Sequence, residues 1–334
     1  MNQQLLKAPL PWQKNQWDHL LKRWQNNNLP HALLLHGATG LGKEIFAREF
    51  AKVLLCKGDM QRQHACEKCS SCLLIQAGTY PELYLIHPEA PSKIIRIDQI
   101  RELIGKVNQT PQYGRYKIAV IAPAETMPIG AANAILKTLE EPAPNSIIML
   151  VAEQLGPLPM TIRSRCQFVP FTAPSQTESA QWLAETGATQ DNTLALALAE
   201  GAPLRAMALS EKFAQRQSLL EELQGVSKGK IDPVQLSAAK SKQPILEVID
   251  CLLSVIMDVI RVKGGFPLSA LTNSDQANFL KVLSATFLSG HLFSYLDKLY
   301  KLRGNLNGPT LNQQLMFEDL FCTWYEYTRN PIYA

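Results

Sequence analysis

Apolar and polar positions along the first half of the chain follow a pattern that predicts strands alternating with helices. An apolar run at 31–37 (HALLLHG) ends in a glycine-rich turn, and the next stretch, 44–55, carries apolar residues at helical spacing. Two further apolar runs, 117–122 and 146–152, flank a helical segment at 131–141 that stops before a proline. Strands alternating with helices predict a parallel sheet in an α/β domain.

The pattern changes in the second half, where strand-like runs disappear and stretches such as 245–262 are typical of helices. Turn-forming residues at 170–178 predict a linker, and a second break is expected between 208 and 232. The fold class is therefore α/β plus all-α. We predict three domains: an α/β domain at 1–170, a small helical domain at 171–209 and a larger helical domain at 210–334.

Composition supports a folded protein with more than one domain. A chain of 334 residues is long for one core, because single cores stop growing near about 250–300 residues. The hydrophobic fraction of 46% is ordinary, and the net charge of +4 is too small to indicate a nucleic-acid binder by itself. The sequence has no apolar stretch of the roughly 18–20 residues that a membrane span requires, so we expect a cytoplasmic protein with no membrane partner.

Residues 37–44 (GATGLGKE) match the phosphate-loop motif GxxxxGK[ST] except at the last position. In this motif, backbone N–H groups around the glycines surround phosphates at a helix N-terminus, and the lysine reaches the outer phosphates. A Ser or Thr hydroxyl normally binds Mg²⁺ at the last position, whereas Glu44 brings a negative charge toward the triphosphate. Productive binding of ATP and Mg²⁺ is therefore not expected. The candidate phosphate-binding residues are Gly37, Gly40, Gly42 and Lys43.

The acidic residues of an ATPase are missing as well. A P-loop ATPase needs an Asp for the metal, and usually a Glu for the attacking water, at the end of a core strand. Here the strand predicted at 117–122 ends in Ala122, which Pro123 follows, and Glu125 lies two residues further on. We predict that the chain does not hydrolyse ATP by itself. The glycines then either retain some nucleotide binding or only form a tight strand-to-helix turn.

Four of the seven cysteines lie close together, with the spacing C-x9-C-x2-C-x2-C. In a reducing compartment, such a cluster indicates metal binding rather than disulfides, and four thiolates form the closed tetrahedral shell of structural zinc. His64 lies in the same loop and is interpreted as a solvated residue. A nucleic-acid-binding zinc module is disfavoured because the loop has few basic residues and no aromatic residue. The predicted zinc ligands, in the module at 56–72, are Cys56, Cys66, Cys69 and Cys72.

The α/β region ends with the triplet Ser164, Arg165 and Cys166. The phosphate loop, the cysteine insertion behind it, the segment AANAILKTLEEPAP at 131–144 and this triplet occur in an order and spacing that resemble the bacterial clamp-loader AAA+ subunits. The resemblance extends along essentially the whole chain, through 29–43, 95–104 and 311–321.

This resemblance implies an AAA+ P-loop domain with a zinc insertion, then a helical lid and a helical collar that mediates assembly. A degenerate phosphate loop combined with a retained triplet resembles the delta prime branch of the family, not the gamma/tau branch that hydrolyses ATP. Arg165 is then an arginine finger in the ATP site of a neighbouring gamma/tau subunit, where its guanidinium neutralises charge on the γ-phosphate. Ser164 orients the turn and Cys166 packs.

The resemblance also implies partners, namely the gamma/tau and delta subunits in a hetero-oligomer, with the β sliding clamp and primed DNA as targets of the complex. Leu204 occupies the position of a second ATP-sensing arginine, with Arg205 one residue late, and Ala152 and Glu153 lie where active subunits carry a polar sensor. All of these positions fit an inert nucleotide site.

Two other interpretations stay open on the sequence. In one, the chain is a gamma-type ATPase in which Glu44 itself binds Mg²⁺. In the other, it is a stand-alone zinc and AAA+ scaffold of another replication or repair complex. Arg165 has an alternative of its own, as a solvated surface arginine or one partner of a helix-end ion pair.

Overall fold

A computed structural model gives the structure of the chain. It describes residues 8–59, 62–90, 92–186, 192–305 and 312–329. The start of the first predicted domain, 1–7, and the end of the last, 330–334, therefore lie outside the described residues. The chain forms two compact units. The first comprises Met1–Thr186 with Ala202–Arg205, and the second comprises Gly187–Gly201 with Ala206–Ala334.

The first unit is built on a five-stranded sheet in the order β2-β3-β4-β1-β5, in which every neighbouring pair is parallel. The three strands predicted from apolar runs occupy its centre. The two edge strands were not predicted, because each has only four residues and is partly exposed. The strands are β1 (Ala32–His36), β2 (Leu83–Ile86), β3 (Lys117–Ile121), β4 (Ser146–Ala152) and β5 (Gln167–Pro170).

The sheet buries both faces, because side chains alternate along each strand. On β1, Leu33 and Leu35 join one apolar core, whereas Ala32 and Leu34 join the other. Helices cover both faces, as expected for a parallel sheet whose strands are apolar throughout. The helices are α1 (Lys14–Gln25), α2 (Lys43–Leu55), α3 (Ser70–Gln76), α4 (Ile97–Val107), α5 (Ile129–Glu140), α6 (Met160–Arg163) and α7 (Gln176–Glu185).

The remaining helices include those of the second unit, whose core is a single cluster rich in Leu, Ile, Val and aromatic residues. The 19-residue helix α12 contributes nine buried residues, and both α13 and α14 pack on it. All regular structure described in this unit is helical. The helices are α8 (Asn192–Leu198), α9 (Pro203–Ser210), α10 (Phe213–Ser227), α11 (Pro233–Lys240), α12 (Ile245–Lys263), α13 (Ala277–Thr286), α14 (Ser289–Asn305) and α15 (Gln313–Arg329).

The predicted fold class, an AAA+-like parallel α/β domain followed by helical structure, is confirmed by this architecture. The division into three domains at 170 and 209 stays a prediction. Among the described residues, we find no helix with the length and apolar character that crossing a membrane requires.

Candidate functional site

The glycine-rich loop lies between β1 and α2, at the carboxyl end of a central strand, as its motif predicts. Gly40 and Gly42 adopt φ angles of 82° and 77°, in the left-handed region that favours glycine. Gly42 is also the N-cap of α2, so its conformation sets where the helix begins. The loop thus has the geometry of a phosphate-binding turn.

Replacing Gly40 with alanine should destabilise the first unit. A Cβ atom there would lie 2.5 Å from Cβ of Arg205 and 2.6 Å from its backbone nitrogen, in addition to the strain of a left-handed alanine. We expect Gly40→Ala to lower the free energy of unfolding by about 2–3 kcal/mol in urea denaturation. Gly78→Ala is the matched control, because φ is 72° there but no atom lies within 4 Å of the added Cβ. It should cost only about 1 kcal/mol, and equal costs would show that the packing on Gly40 is unimportant.

Lys43 is folded back onto its own loop. Its Nζ donates hydrogen bonds of 2.7 Å to the carbonyl oxygens of Gly37 and Ala38. The side chain is buried, and this burial lowers the pKa of Lys43 from its ordinary value. The ammonium group that would reach a phosphate is therefore bonded within the protein.

Other segments of the first unit cover the glycine-rich loop. Gln13 is fully buried and its amide donates to the carbonyl oxygens of Leu41 and Gly42, at 2.8 and 3.0 Å. The backbone N–H of Leu204 donates to the carbonyl of Gly40 at 3.2 Å. The remaining cavity has a volume of about 210 Å³, below the range of about 300–1,000 Å³ of ordinary ligand pockets. Only a small cavity is therefore left beside the loop.

The residues at the positions where an ATPase would hold Mg²⁺ lie beside the glycine-rich loop. The Glu44 carboxylate pairs with Arg48 at 2.6 Å, so its charge is engaged on the surface of α2. Ala122 and Pro123 line the small cavity and offer no side-chain oxygen. Glu125 lies close by, but its carboxylate accepts the backbone N–H of Glu153 at 2.8 Å.

The four predicted metal ligands converge. Cys56 follows α2, Cys66 lies in the loop, Cys69 is the N-cap of α3 and Cys72 lies within that helix. All four sulfur atoms lie within 4.8 Å of one another, and two pairs, Cys56 with Cys69 and Cys66 with Cys72, are 3.9 Å apart. Tetrahedral zinc with Zn–S bonds of about 2.3 Å needs sulfurs about 3.8 Å apart. The cluster therefore has the dimensions of a metal site.

Backbone amides of the cysteine module stabilise thiolates against burial, which raises the pKa of Cys56 and of Cys72. Cys56 Sγ accepts N–H bonds from Gly58 and Cys66, both at 3.3 Å. Amides of Lys68 and Cys69 lower the pKa of Cys66 to about 6. His64 is exposed and stacks on Trp17, with ring centroids 6.0 Å apart, and is not part of the cysteine cluster.

The triplet follows α6 at the end of the α/β region. Arg165 is half-buried, and its guanidinium is bonded to Glu140 at the end of α5 through Nε at 2.7 Å and through Nη2. Its Nη1 donates to the carbonyl of Thr161 at 2.9 Å and lies 3.4 Å from the hydroxyl of Ser164. The helix-end ion pair considered from the sequence is thus present, with a partner that the sequence did not identify.

The two neighbours of Arg165 have supporting positions. The Ser164 hydroxyl donates to the same Thr161 carbonyl at 3.2 Å, which ties down the turn after α6. Cys166 is buried, and burial raises the pKa of its thiol to about 12. A thiol with that pKa is almost fully protonated at neutral pH, so Cys166 is unsuited to act as a nucleophile.

The parallel sheet with a glycine-rich turn between β1 and α2 places the first unit among P-loop-type α/β domains. Sequence profiles described as DNA polymerase III, delta subunit, and DNA polymerase III, delta subunit, C terminal, match residues 12–175 and 210–326. DNA polymerase III subunit delta prime of Pseudomonas aeruginosa is 32% identical over 94% of this chain and 96% of its own length. The chain belongs to the family of DNA polymerase III delta prime subunits, the branch of the clamp-loader family that its sequence resembles.

The Escherichia coli subunit of the same name is 29% identical over 93% of each chain. A gamma subunit-related protein of DNA polymerase III from Thermotoga maritima, whose crystal structure is known, aligns over 94% of this chain and 100% of its own, with 17% identity and a TM-score of 0.42.

Proposed function

We propose that this chain is the stator of a clamp loader, a subunit that supports ATP-driven loading of the β sliding clamp onto primed DNA without hydrolysing ATP itself. Its partners would be the gamma/tau and delta subunits in a hetero-oligomer. The observation that carries this proposal is the match to delta prime subunits along nearly the whole chain. The role would be exercised in the cytoplasm, where cysteines remain reduced and available for metal.

The contacts of the glycine-rich loop support the absence of ATP hydrolysis. Lys43 is bonded to its own loop, and Glu44 is paired with Arg48 instead of being directed at a Mg²⁺ ion. Ala122 and Pro123 replace the residues that would hold the metal and the attacking water. These features also disfavour the alternative of a gamma-type ATPase that uses Glu44 as its metal ligand.

The remaining assignments extend the proposal. The cysteine cluster would hold a structural zinc ion, which stabilises a module that has almost no apolar core of its own. The α/β domain at 1–170, a lid at 171–209 and a collar at 210–334 would be the working parts. Arg165 would serve as the arginine finger for a neighbouring gamma/tau ATP site, since its side chain is one-third exposed.

The purified chain should release no phosphate from ATP in the presence of Mg²⁺ above background. We expect Lys43→Ala to leave any trace activity unchanged, because that activity would come from a contaminant. Glu44→Thr should also remain inactive, since Ala122 and Pro123 still lack the acidic groups. Phosphate release that depends on Lys43 would contradict the proposal.

Reconstitution tests the assembly. Mixed with gamma/tau and delta subunits, the full chain should elute in gel filtration as one stoichiometric ring, and the ring should load β clamps onto primed DNA. Leaving out this chain should abolish loading. A chain that fails to join the ring would instead indicate a scaffold of another complex.

A further inference from the structure

The partner of Arg165 lies in an unusual place for an acid. Glu140 is the last residue of α5, and Glu141 follows as its C-cap. The carbonyl groups at a helix C-terminus carry partial negative charge, which disfavours carboxylates there. The first turn of α5, where an acid would be favourable, has none. Propensity within the helix therefore does not explain Glu140, whereas its contact with Arg165 does.

The contact leaves part of the guanidinium available. Nε and Nη2 lie on one edge of the planar group, and Glu140 engages that edge. Nη1 is directed at the Thr161 carbonyl and the Ser164 hydroxyl. A guanidinium has five N–H groups, and these contacts use at most four. An N–H group of Nη2 on the side away from Glu140 remains for another acceptor.

We propose that Glu140 is the positioning residue of Arg165. Its carboxylate fixes one edge of the guanidinium so that the remaining edge is presented to the γ-phosphate of the neighbouring subunit's ATP. This inference rests on the proposed finger role of Arg165. Holding a long side chain in its working conformation removes the entropy that it would otherwise lose on reaching the phosphate.

We expect the Arg165–Glu140 ion pair to affect the rate of ATP hydrolysis more than the stability of the folded protein. The Arg165 and Glu140 side chains are 33% and 47% exposed, and exposed ion pairs stabilise folded proteins little. A displaced catalytic group, in contrast, lowers turnover by up to about 100-fold. Loss of Glu140 should therefore be visible in kcat while the protein still folds and assembles.

The test uses the reconstituted complex of full-length subunits with β clamp and primed DNA. We expect Glu140→Ala to lower the kcat of finger-dependent ATP hydrolysis about tenfold, with the KM for ATP unchanged. Glu140→Gln should lie between wild type and Glu140→Ala, because its amide oxygen still accepts one hydrogen bond. Glu141→Ala is the matched control, since it removes an acid from the same helix end, and it should leave kcat unchanged.

A double-mutant cycle separates positioning from a general structural effect. In an Arg165→Ala background, Glu140→Ala should cause no further loss of kcat, because the group that it positions is gone. A full additional loss in that background would overturn the inference, and so would faster turnover in Glu140→Ala, which would mean that the carboxylate competes with the phosphate. Where Glu140→Ala does not assemble, Glu140→Gln in both backgrounds gives the same comparison.

The two proposals fail in different ways. Unchanged hydrolysis in Arg165→Ala would remove the finger role, and with it the role of Glu140. Slow hydrolysis in Arg165→Ala combined with wild-type kcat in Glu140→Ala would remove only the positioning role.

Discussion

Replacing Arg165 with alanine should slow hydrolysis at the neighbouring ATP site, for which we propose it as the arginine finger, by about 10³-fold or more, the effect of arginine fingers in other phosphoryl-transfer systems. The transition state places negative charge on the γ-phosphate, and Arg165 would supply a permanent positive charge there. The reconstituted ring should still form, because the side chain is exposed in part and contributes little to folding. Single-turnover hydrolysis and the rate of clamp loading on primed DNA measure the loss.

Two variants make this result specific. Arg165→Lys keeps the charge but loses the planar fork, so it should recover only part of the rate. Arg163→Ala removes the neighbouring arginine, the last residue of α6, and should stay close to wild type. Wild-type hydrolysis in Arg165→Ala would show that the triplet has another purpose.

Removing the metal from the cysteine cluster should have the second large effect. Structural zinc contributes about 10–16 kcal/mol of apparent binding free energy in small modules, and the segment at 56–72 has little apolar core to replace it. We expect the wild-type chain to contain about one Zn²⁺, and Cys69→Ser to contain almost none, with a lower Tm and faster proteolysis near this segment. Elemental analysis and calorimetry measure both changes.

Cys251→Ser is the matched control for the metal experiment. Cys251 lies in α12, in the second unit, and is not one of the four cysteines whose sulfur atoms converge. Its replacement should leave the metal content unchanged. Equal metal content in wild type and Cys69→Ser would contradict the assignment of the cluster.

Metal retention should also depend on pH in a defined direction. A thiol must lose its proton to bind zinc, and the pKa of Cys66 is lowered from 9.0 to about 6 in the folded chain. Protons compete with the metal for the sulfur atoms, and Cys66 keeps its thiolate to lower pH than Cys56 and Cys72, whose pKa values burial raises. We expect metal to be held at pH 7 and released more readily below about pH 6, with a chromogenic chelator as the readout. Release that is faster at pH 8 than at pH 5 would contradict this.

The sequence predicts the centre of the first unit well. The runs at 117–122 and 146–152 become strands within one residue of their predicted ends, because each is buried throughout and needs apolar side chains on both faces. The edge strands β2 and β5 escape prediction, because each has only four residues and is partly exposed. Local pattern therefore identifies strands that the core encloses.

The sequence predicts only part of the candidate site. The glycines of the loop and the cysteine spacing are visible in the sequence, because each depends on residues close together in the chain. Gln13 lies 28 residues from the loop carbonyl that it bonds, and Glu140 lies 25 residues from Arg165. No pattern in the neighbouring sequence predicts such pairings. The two acids before Pro142 at the end of α5 are unfavourable for the helix, and this placement alone indicates a contact outside it. The folded chain is needed to find them.

The bonds from Lys43 to its own loop carbonyls have a consequence for how the complex responds to the cell. Motor subunits report the ratio of ATP to ADP through what their phosphate loops hold. On the proposed role, a loop whose lysine is bonded to its own carbonyl groups would take no part in that report. On the proposed role, a change in cellular energy charge would alter the neighbours of this subunit and leave it in the same conformation, as a fixed reference for their cycle.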